Sequence, residues 1–438
     1  MKIKTVLSSL ILMLILGGCA AASSDIAGIF SDASSGVAAS GTAANNTDTT
    51  AATDTASAVS TKPLHIAMAT DLHYQPEVSD AASSLIPQMK YISQLTDCLL
   101  EEVSGRQPDV LLLCGDLTNN GLRNEHEALI KKLDLARSQG THILVIPGNH
   151  DLKGISQEEF AKLYADYGYA SPLMRDTASL SYVAPLTDSF WLLMLDTNIS
   201  NTYGGVSDDT LSWVQHVLEQ ADEADAVIVT SSHHNLLGHS SPQYNQMSPF
   251  ENRDALLSLL ETHQVPLNIS GHLHKQHTAM TTFHGGSFYE ITGGMPADYP
   301  NLWTDITVTP DTRSIACRTH SLDMEGWAAA QGSVEEELLH FSGYSRACRQ
   351  KTAEGLVGGM LRALGVTGGD FNRLEAFWSQ IYMDASDGLI RDTGKDYLAS
   401  DDYRIWQQYR DKSKYSEWLD YLLQQKGAVD SHSLLIKY

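Results

Sequence analysis

Basic residues are scarce in this 438-residue chain, with 29 Lys and Arg against 53 Asp and Glu and a formal net charge of −24. A body this acidic repels nucleic-acid backbones and anionic lipid surfaces, which excludes a nucleic-acid polymer as partner and a peripheral-membrane role. An anionic substrate would need a local positive centre. Cysteine is scarce as well. Cys19, Cys98, Cys114, Cys317 and Cys348 are widely spaced with no CxxC pair, and the sequence leaves open whether any of the last four are joined. No apolar run is long enough to span a membrane, and no internal repeat is present.

What the chain does contain starts with an address. Lys2 and Lys4 precede the largely apolar run Val6 to Leu16, followed by Gly17, Gly18 and Cys19, which together read as an export signal. The stretch Leu16-Gly17-Gly18-Cys19 resembles a bacterial lipobox, implying that residues 1–18 are a signal peptide and that Cys19 becomes the lipidated N-terminus. Residues 19–62 are dominated by Ala, Ser, Thr, Gly, Asn and Asp, a composition that buries too little apolar surface to fold and behaves as a disordered tether. The expectation is an extracytoplasmic body held at the bacterial membrane through its lipid anchor only.

From residue 63 the pattern changes. Leu64 to Thr70, Pro108 to Cys114, Thr141 to Ile146, Phe190 to Leu195, Ala226 to Thr230 and Pro266 to Ile269 read as buried strands. Helical periodicity separates them at Leu85 to Val103, Asn124 to Gln139, Ser207 to Ala221 and Pro249 to Thr262. Alternation from His277 to His320 adds antiparallel strands. Beyond about residue 323 strand signals vanish, and aromatic residues such as Phe371, Trp378 and Trp418 recur at helical spacing as a core stripe. The chain therefore divides into an α/β domain at 63–322 and an all-α bundle at 323–438.

In open α/β sheets functional groups gather beyond the carboxyl ends of strands. Here those positions hold Asp71-Leu72-His73, Gly115-Asp116, Gly148-Asn149-His150-Asp151, His233-His234 and Gly271-His272-Leu273-His274; only the strand Phe190 to Leu195 delivers nothing comparable. Each element alone has a bland reading as a turn or cap. Five in order do not, and in extended chain His272 and His274 share one side.

The ordered pattern D-x-H, G-D, G-N-H-D, H, G-H-x-H resembles that of the calcineurin-like metallophosphoesterases over roughly residues 63 to 320. The resemblance implies a four-layered α/β/β/α sandwich and a two-metal centre. It assigns Asp71, His73 and His274 to one ion, Asn149, His233 and His272 to the other, and Asp116 to both. His150 would stay off the ions and act on substrate as proton donor or phosphate clamp, and His234 competes with His233 as ligand. His239, His277 and His284 read as solvated or substrate-side. The donors include no Cys, which points to Mn, Fe or Zn. Two cations about 3.5–4 Å apart that share a water lower its pKa and supply hydroxide near neutral pH.

The second motif, Gly115-Asp116-Leu117-Thr118-Asn119-Asn120-Gly121, departs from the G-D-x-x-D-R-G of protein Ser/Thr phosphatases, with Asn119 where that branch pairs an Asp with the catalytic His. It is more similar to the class III cyclic-nucleotide phosphodiesterases and their glycerophosphodiesterase relatives. The implied substrate is a small phosphodiester, with a phosphomonoesterase or nucleotidase of the same fold and a catalytically silent surface-binding lipoprotein as alternatives. Leu236 to Phe250 and the turn Gly293 to Pro296 are expected to border the pocket.

Overall fold

The computed structural model describes residues 62–78, 86–199, 204–240, 250–413, 416–424 and 430–438. The signal peptide, Cys19 and nearly all of the tether lie outside the described residues.

Strands β1 (Leu64–Ala69), β2 (Val110–Cys114) and β3 (Ile143–Ile146) run parallel, joined by the helices Ile92–Arg106 and Arg123–Ser138. The chain then builds a second sheet from β4 (Met174–Arg175), β5 (Tyr182–Thr187) and β6 (Phe190–Leu195). After the short β7 (Gly204–Gly205) and the helix Asp208–Glu223 come β8 (Val227–Ser232) and β9 (Phe250–Glu251), the latter paired with β7. The helix Arg253–Thr262 leads to β10 (Leu267–Ser270), β11 (His277–Phe283) and β12 (Gly286–Thr292). Finally β13 (Leu302–Thr309) and β14 (Ser314–Ser321) return to the first sheet.

Counting β15 (Ser433–Lys437), the first sheet has the order β15-β14-β13-β1-β2-β3 and the second β11-β12-β10-β8-β6-β5-β4. The period of two along β6 shows how they stack. Phe190, Leu192 and Met194 enter the core shared with the first sheet, whereas Trp191, Leu193 and Leu195 face a separate core under the helices Asp208–Glu223 and Arg253–Thr262. Leu95, Leu99, Leu129 and Leu133 cover the first sheet's other face from its two helices. The result is the four-layered α/β/β/α sandwich. Ser207 caps the helix Asp208–Glu223 by accepting from the Thr210 amide at 3.1 Å, with Asp208 and Asp209 favourably placed in the first turn.

The C-terminal helices form their own core around Leu374, Trp378, Ile381, Trp406 and Trp418, with Trp378 and Trp418 stacked at 5.8 Å. This region is not wholly helical: β15 pairs antiparallel with β14 over five residues, contrary to the reading that strands end near residue 323. Only Ile436 of β15 is buried, so an isolated edge strand carries almost no pattern. β5 was also missed, because Pro185 interrupts it at a register shift. Cys98, Cys114, Cys317 and Cys348 are free thiols. Among the described residues no helix is long and apolar enough to cross a membrane.

Candidate metal centre

The loops that leave β1, β2 and β10 adopt backbone that side chains rarely tolerate. Asp71, His73, Asp116, His272 and His274 have φ of 55°, 46°, 47°, 73° and 54°, each in the left-handed region that costs about 1–2 kcal/mol per residue. Cross-bracing holds them there. The amides of Asp71, His73 and Tyr74 donate to the carbonyls of Gly115, Asp116 and Leu117 at 3.0, 2.9 and 3.0 Å, extending the β1–β2 pairing into the loops. The motif glycines serve close approach: a Cβ on Gly271 would lie 2.0 Å from Thr70 Oγ1 and 2.7 Å from Asp71 Oδ2.

The side chains then converge. The ligand atoms of Asp71, His73, Asp116 and His274 all lie within 4.8 Å of one another. His73 Nε2 is 3.0 Å from His274 Nε2, and His274 Nε2 is 3.3 Å from Asp71 Oδ1. Next to this group, Asn149 Oδ1 is 3.1 Å from His233 Nε2 and 3.0 Å from His272 Nδ1. Asp116 joins the two groups. Its Oδ2 is 3.5 Å from His73 Nε2 and 3.4 Å from His233 Nε2, while its Oδ1 is taken by the His150 amide at 2.7 Å.

Burial alone would raise the Asp116 carboxyl, but His233, His150 and His73 around it hold it well below the usual carboxylate range. Burial would lower His233; Asp116 overrides it and pushes the imidazole up to about 9. His272 is lowered to about 4 by burial and by His233, and His73 is driven well down by burial and by His150. Two of these imidazoles thus present lone pairs at neutral pH and one holds a proton against the shared carboxylate.

Around this cluster sit groups that hold it in place. Asp151 accepts from the amides of Leu117, Thr118 and Gly148 at 3.1, 2.8 and 2.8 Å and from Thr118 Oγ1 at 2.8 Å, tying the second motif to the third. His150 Nδ1 donates to the backbone carbonyl of Asn119 at 2.5 Å. The Asn119 side chain donates to Gln75 and Asn120, both at 3.4 Å, so it is the backbone of this residue that meets the ring. A main-chain acceptor makes the orientation independent of residue type at position 119.

His234 pairs its Nδ1 with Thr197 Oγ1 at 2.9 Å, and one of its ring nitrogens still lies within 4.8 Å of ligand atoms of His233 and His272, so it stands beside the second donor group as the competing ligand. Thr197 belongs to Asp196-Thr197-Asn198 after β6, the strand end that the sequence reading passed over. Asp196 takes the amides of Asn198 and Leu180 at 3.0 and 3.1 Å. An Asp-Thr-Asn run at a strand end was the available signal. His239 is another departure: it is buried, with Nε2 3.1 Å from Glu290 Oε2 and Nδ1 2.9 Å from His277 Nδ1, rather than solvated. His284 is exposed and pairs with Glu261 at 2.7 Å.

The donor set fits two hard or borderline cations. Each half offers two imidazoles and an oxygen donor of its own plus the shared Asp116 carboxylate, with no thiolate, which suits Mn, Fe or Zn. A cavity of about 250 Å³ opens beside Asn149, bordered on the other side by Asn198 and Ile199. Among the described residues, neither 236–240 nor the turn at Gly293 lines it, and residues 241–249 of the expected border lie outside the described residues.

Residues 64–276 match the calcineurin-like phosphoesterase family. A probable glycerophosphodiester phosphodiesterase GpdQ from Arcobacter nitrofigilis is 25% identical over 182 residues, covering 40% of this chain and 59% of that protein. A probable cyclic nucleotide phosphodiesterase from Vesicomyosocius okutanii subsp. Calyptogena okutanii is 26% identical over 180 residues, covering 40% of this chain and 67% of that one. The chain thus spans 59% of the length of the first relative. A solved dimetal phosphatase from Danio rerio superposes with a TM-score of 0.47 at 14% identity, covering 59% of this chain and 96% of that chain.

Proposed function

We propose that this chain, whose residues 64–276 form a calcineurin-like phosphoesterase domain, is a phosphodiesterase that uses two metal ions to hydrolyse small phosphodiesters outside the cytoplasm. The observation that carries the reading is one carboxylate oxygen, Asp116 Oδ2, set 3.5 Å from His73 Nε2 and 3.4 Å from His233 Nε2. Asp71, His73 and His274 would hold one ion, Asn149, His233 and His272 the other, and Asp116 both. Bound there, such ions act as Lewis acids on phosphoryl oxygens and lower the pKa of water.

The chain's own groups do the rest. The His150 amide binds Asp116 Oδ1 and leaves Oδ2 facing both donor groups, where Asp116 would help to hold both ions. A carbonyl only accepts, so His150 Nδ1 carries a hydrogen and Nε2 faces the cluster, 4.0 Å from Asp116 Oδ2. In its cationic form His150 donates from Nε2 to the departing oxygen or to the phosphate. The acidic body then poses no obstacle to an anionic substrate, since the compensating charge is local. Diester rather than monoester preference is supported by the Gly115 to Gly121 motif and by the two relatives' names. Placement at the membrane through lipidated Cys19 belongs to the same reading.

The test is metal-dependent turnover of bis-(p-nitrophenyl) phosphate by the purified chain with Mn, repeated with Asn149→Ala. The expected result is activity that chelator abolishes, a metal content of two per chain, and a loss on the order of 10²-fold in the variant. A chain that binds no metal, or that cleaves monoesters in preference to every diester, would overturn the assignment.

A further inference from the structure

β12 carries a carboxylate where its alternation calls for an apolar side chain. Phe288 enters the core under the helices Asp208–Glu223 and Arg253–Thr262, and Glu290, two positions on, shares that face and is fully buried. Asn268 of β10 stands in register with Glu290 on one side and with Thr230 of β8 on the other, so a polar row crosses three adjacent strands. A buried charge persists only where hydrogen bonds and opposite charge compensate it.

Here the compensation comes from the loop after β8. Glu290 Oε1 accepts from the Leu236 amide at 2.9 Å and from Asn268 Nδ2 at 2.7 Å, and Oε2 accepts from the Leu237 amide at 2.5 Å and from His239 Nε2 at 3.1 Å. A carboxylate offers about four acceptor sites, and these donors fill them. Burial would raise the Glu290 carboxyl, but His239 and the Leu237 and Leu236 amides hold it below its ordinary value.

The row also reaches the other end of the same loop. Asn268 Oδ1 accepts from Thr230 Oγ1 at 2.8 Å, which fixes the amide, and its Nδ2 donates to Ser232 Oγ at 2.9 Å as well as to Glu290. The Ser232 hydroxyl in turn donates to the His234 carbonyl at 2.8 Å. The turn His233-His234-Asn235 is thus held from behind through Asn268 and Ser232 and from ahead through the Leu236 and Leu237 amides, with Glu290 common to both. The other donors of that group are braced elsewhere. The His272 amide donates to Asp71 Oδ2 at 2.9 Å, and Gly148, next to Asn149, donates to Asp151 at 2.8 Å.

We infer that Glu290 is a positioning residue: it fixes the turn that aims His233, and so sets how tightly the Asn149, His233 and His272 position holds its ion, without setting the affinity of the Asp71, His73 and His274 position. The inference rests on the two-metal reading and adds to it a residue that is no ligand to either ion. Glu290→Gln keeps the size of the side chain but turns an NH₂ toward one pair of donors, leaving at least one buried N–H unpaired.

Mn binding to the full chain is followed by calorimetry, with His233→Ala identifying which of the two events belongs to the second position. Glu290→Gln should weaken that event by about tenfold and leave the other within about twofold. Its half-saturating Mn concentration for hydrolysis of bis-(p-nitrophenyl) phosphate should rise by the same factor of about ten, with kcat at saturating Mn within about twofold, a split that a general loss of folded protein does not produce. Ser232→Ala cuts only the bridge to the His234 carbonyl and should weaken the same event by about threefold, which decides the question if the glutamine variant does not fold. Weakening of both events alike, of the other event alone, or of neither overturns the inference and leaves the two-metal reading intact. Fewer than two events in the unaltered chain would bring down both.

Discussion

At the residue scale, Asp116 and His233 are coupled in a way that metal binding must undo. His233 holds its proton up to about 9 in the metal-free protein, while His272, near 4, is already neutral at pH 7. A ligand nitrogen must be deprotonated, so between pH 6 and 8 occupation of the His233 position should release close to one proton from His233 and none from His272. Apparent affinity should then rise by up to about tenfold per pH unit across that window. Calorimetry of Mn or Zn binding in two buffers of different ionisation enthalpy measures the proton count; a count of zero would mean that His233 is neutral beforehand. His150 gives a second expectation. As a proton donor it matters most when the leaving oxygen is a strong base, so His150→Ala should lower kcat on an alkyl diester by roughly 10²–10⁴-fold and much less on a p-nitrophenyl ester. Equal losses on both would favour the phosphate-clamp role. These residues were legible because ligand chemistry restricts identity: only a few side chains can serve, and their spacing survives in the sequence. The run Asp196-Thr197-Asn198 was less so, since such residues at a strand end have many ordinary uses and the contact of Thr197 with His234 shows only in three dimensions.

At the scale of elements, the site is a set of loops joined to one another rather than a set of independent side chains. Asp151 is the clearest joint, bound by three amides and a hydroxyl from two different strand–loop junctions. Asp151→Asn would turn an NH₂ toward at least one pair of these donors, at a cost of about 3 kcal/mol in stability. Denaturant unfolding should show that loss together with weaker metal retention, because Gly148 precedes Asn149 directly. If stability falls but metal affinity does not, the joint serves the fold alone. Strand positions were readable from continuous apolar runs such as Val110–Cys114, all of it buried. The left-handed backbone at five proposed ligands was not, as nothing in Asp or His demands positive φ and only the cross-bracing by neighbouring loops imposes it. The adjacent glycines were the indirect sign.

At the scale of the molecule, the C-terminal region is tied to the α/β sandwich at more than one point. Arg349 pairs with Asp298 at 2.6 Å in a largely buried contact, and Gln88 Nε2 donates to the Ser345 carbonyl at 3.1 Å. The chain's last strand goes further and completes the first sheet, with Ser314 opposite Lys437 and Arg318 opposite Ser433. Removal of residues 433–438 therefore strips β14 of its outer partner, leaving β13, and takes Ile436 out of the main core. Burial of that side chain alone contributes about 1.5–3 kcal/mol, so the shortened protein should melt roughly 2–6 °C lower. The donors after β1 lie three positions inward of β15 in the sheet order and are braced by β2 rather than by β14. Activity well below the new melting temperature should accordingly stay within about twofold of the full chain. Thermal unfolding followed alongside diester hydrolysis separates the two effects. An unchanged melting temperature would show that β15 adds nothing to the sheet, and a loss of activity in the still-folded protein would show that the far edge, not only the neighbouring strand, sets the geometry of Asp71 and His73.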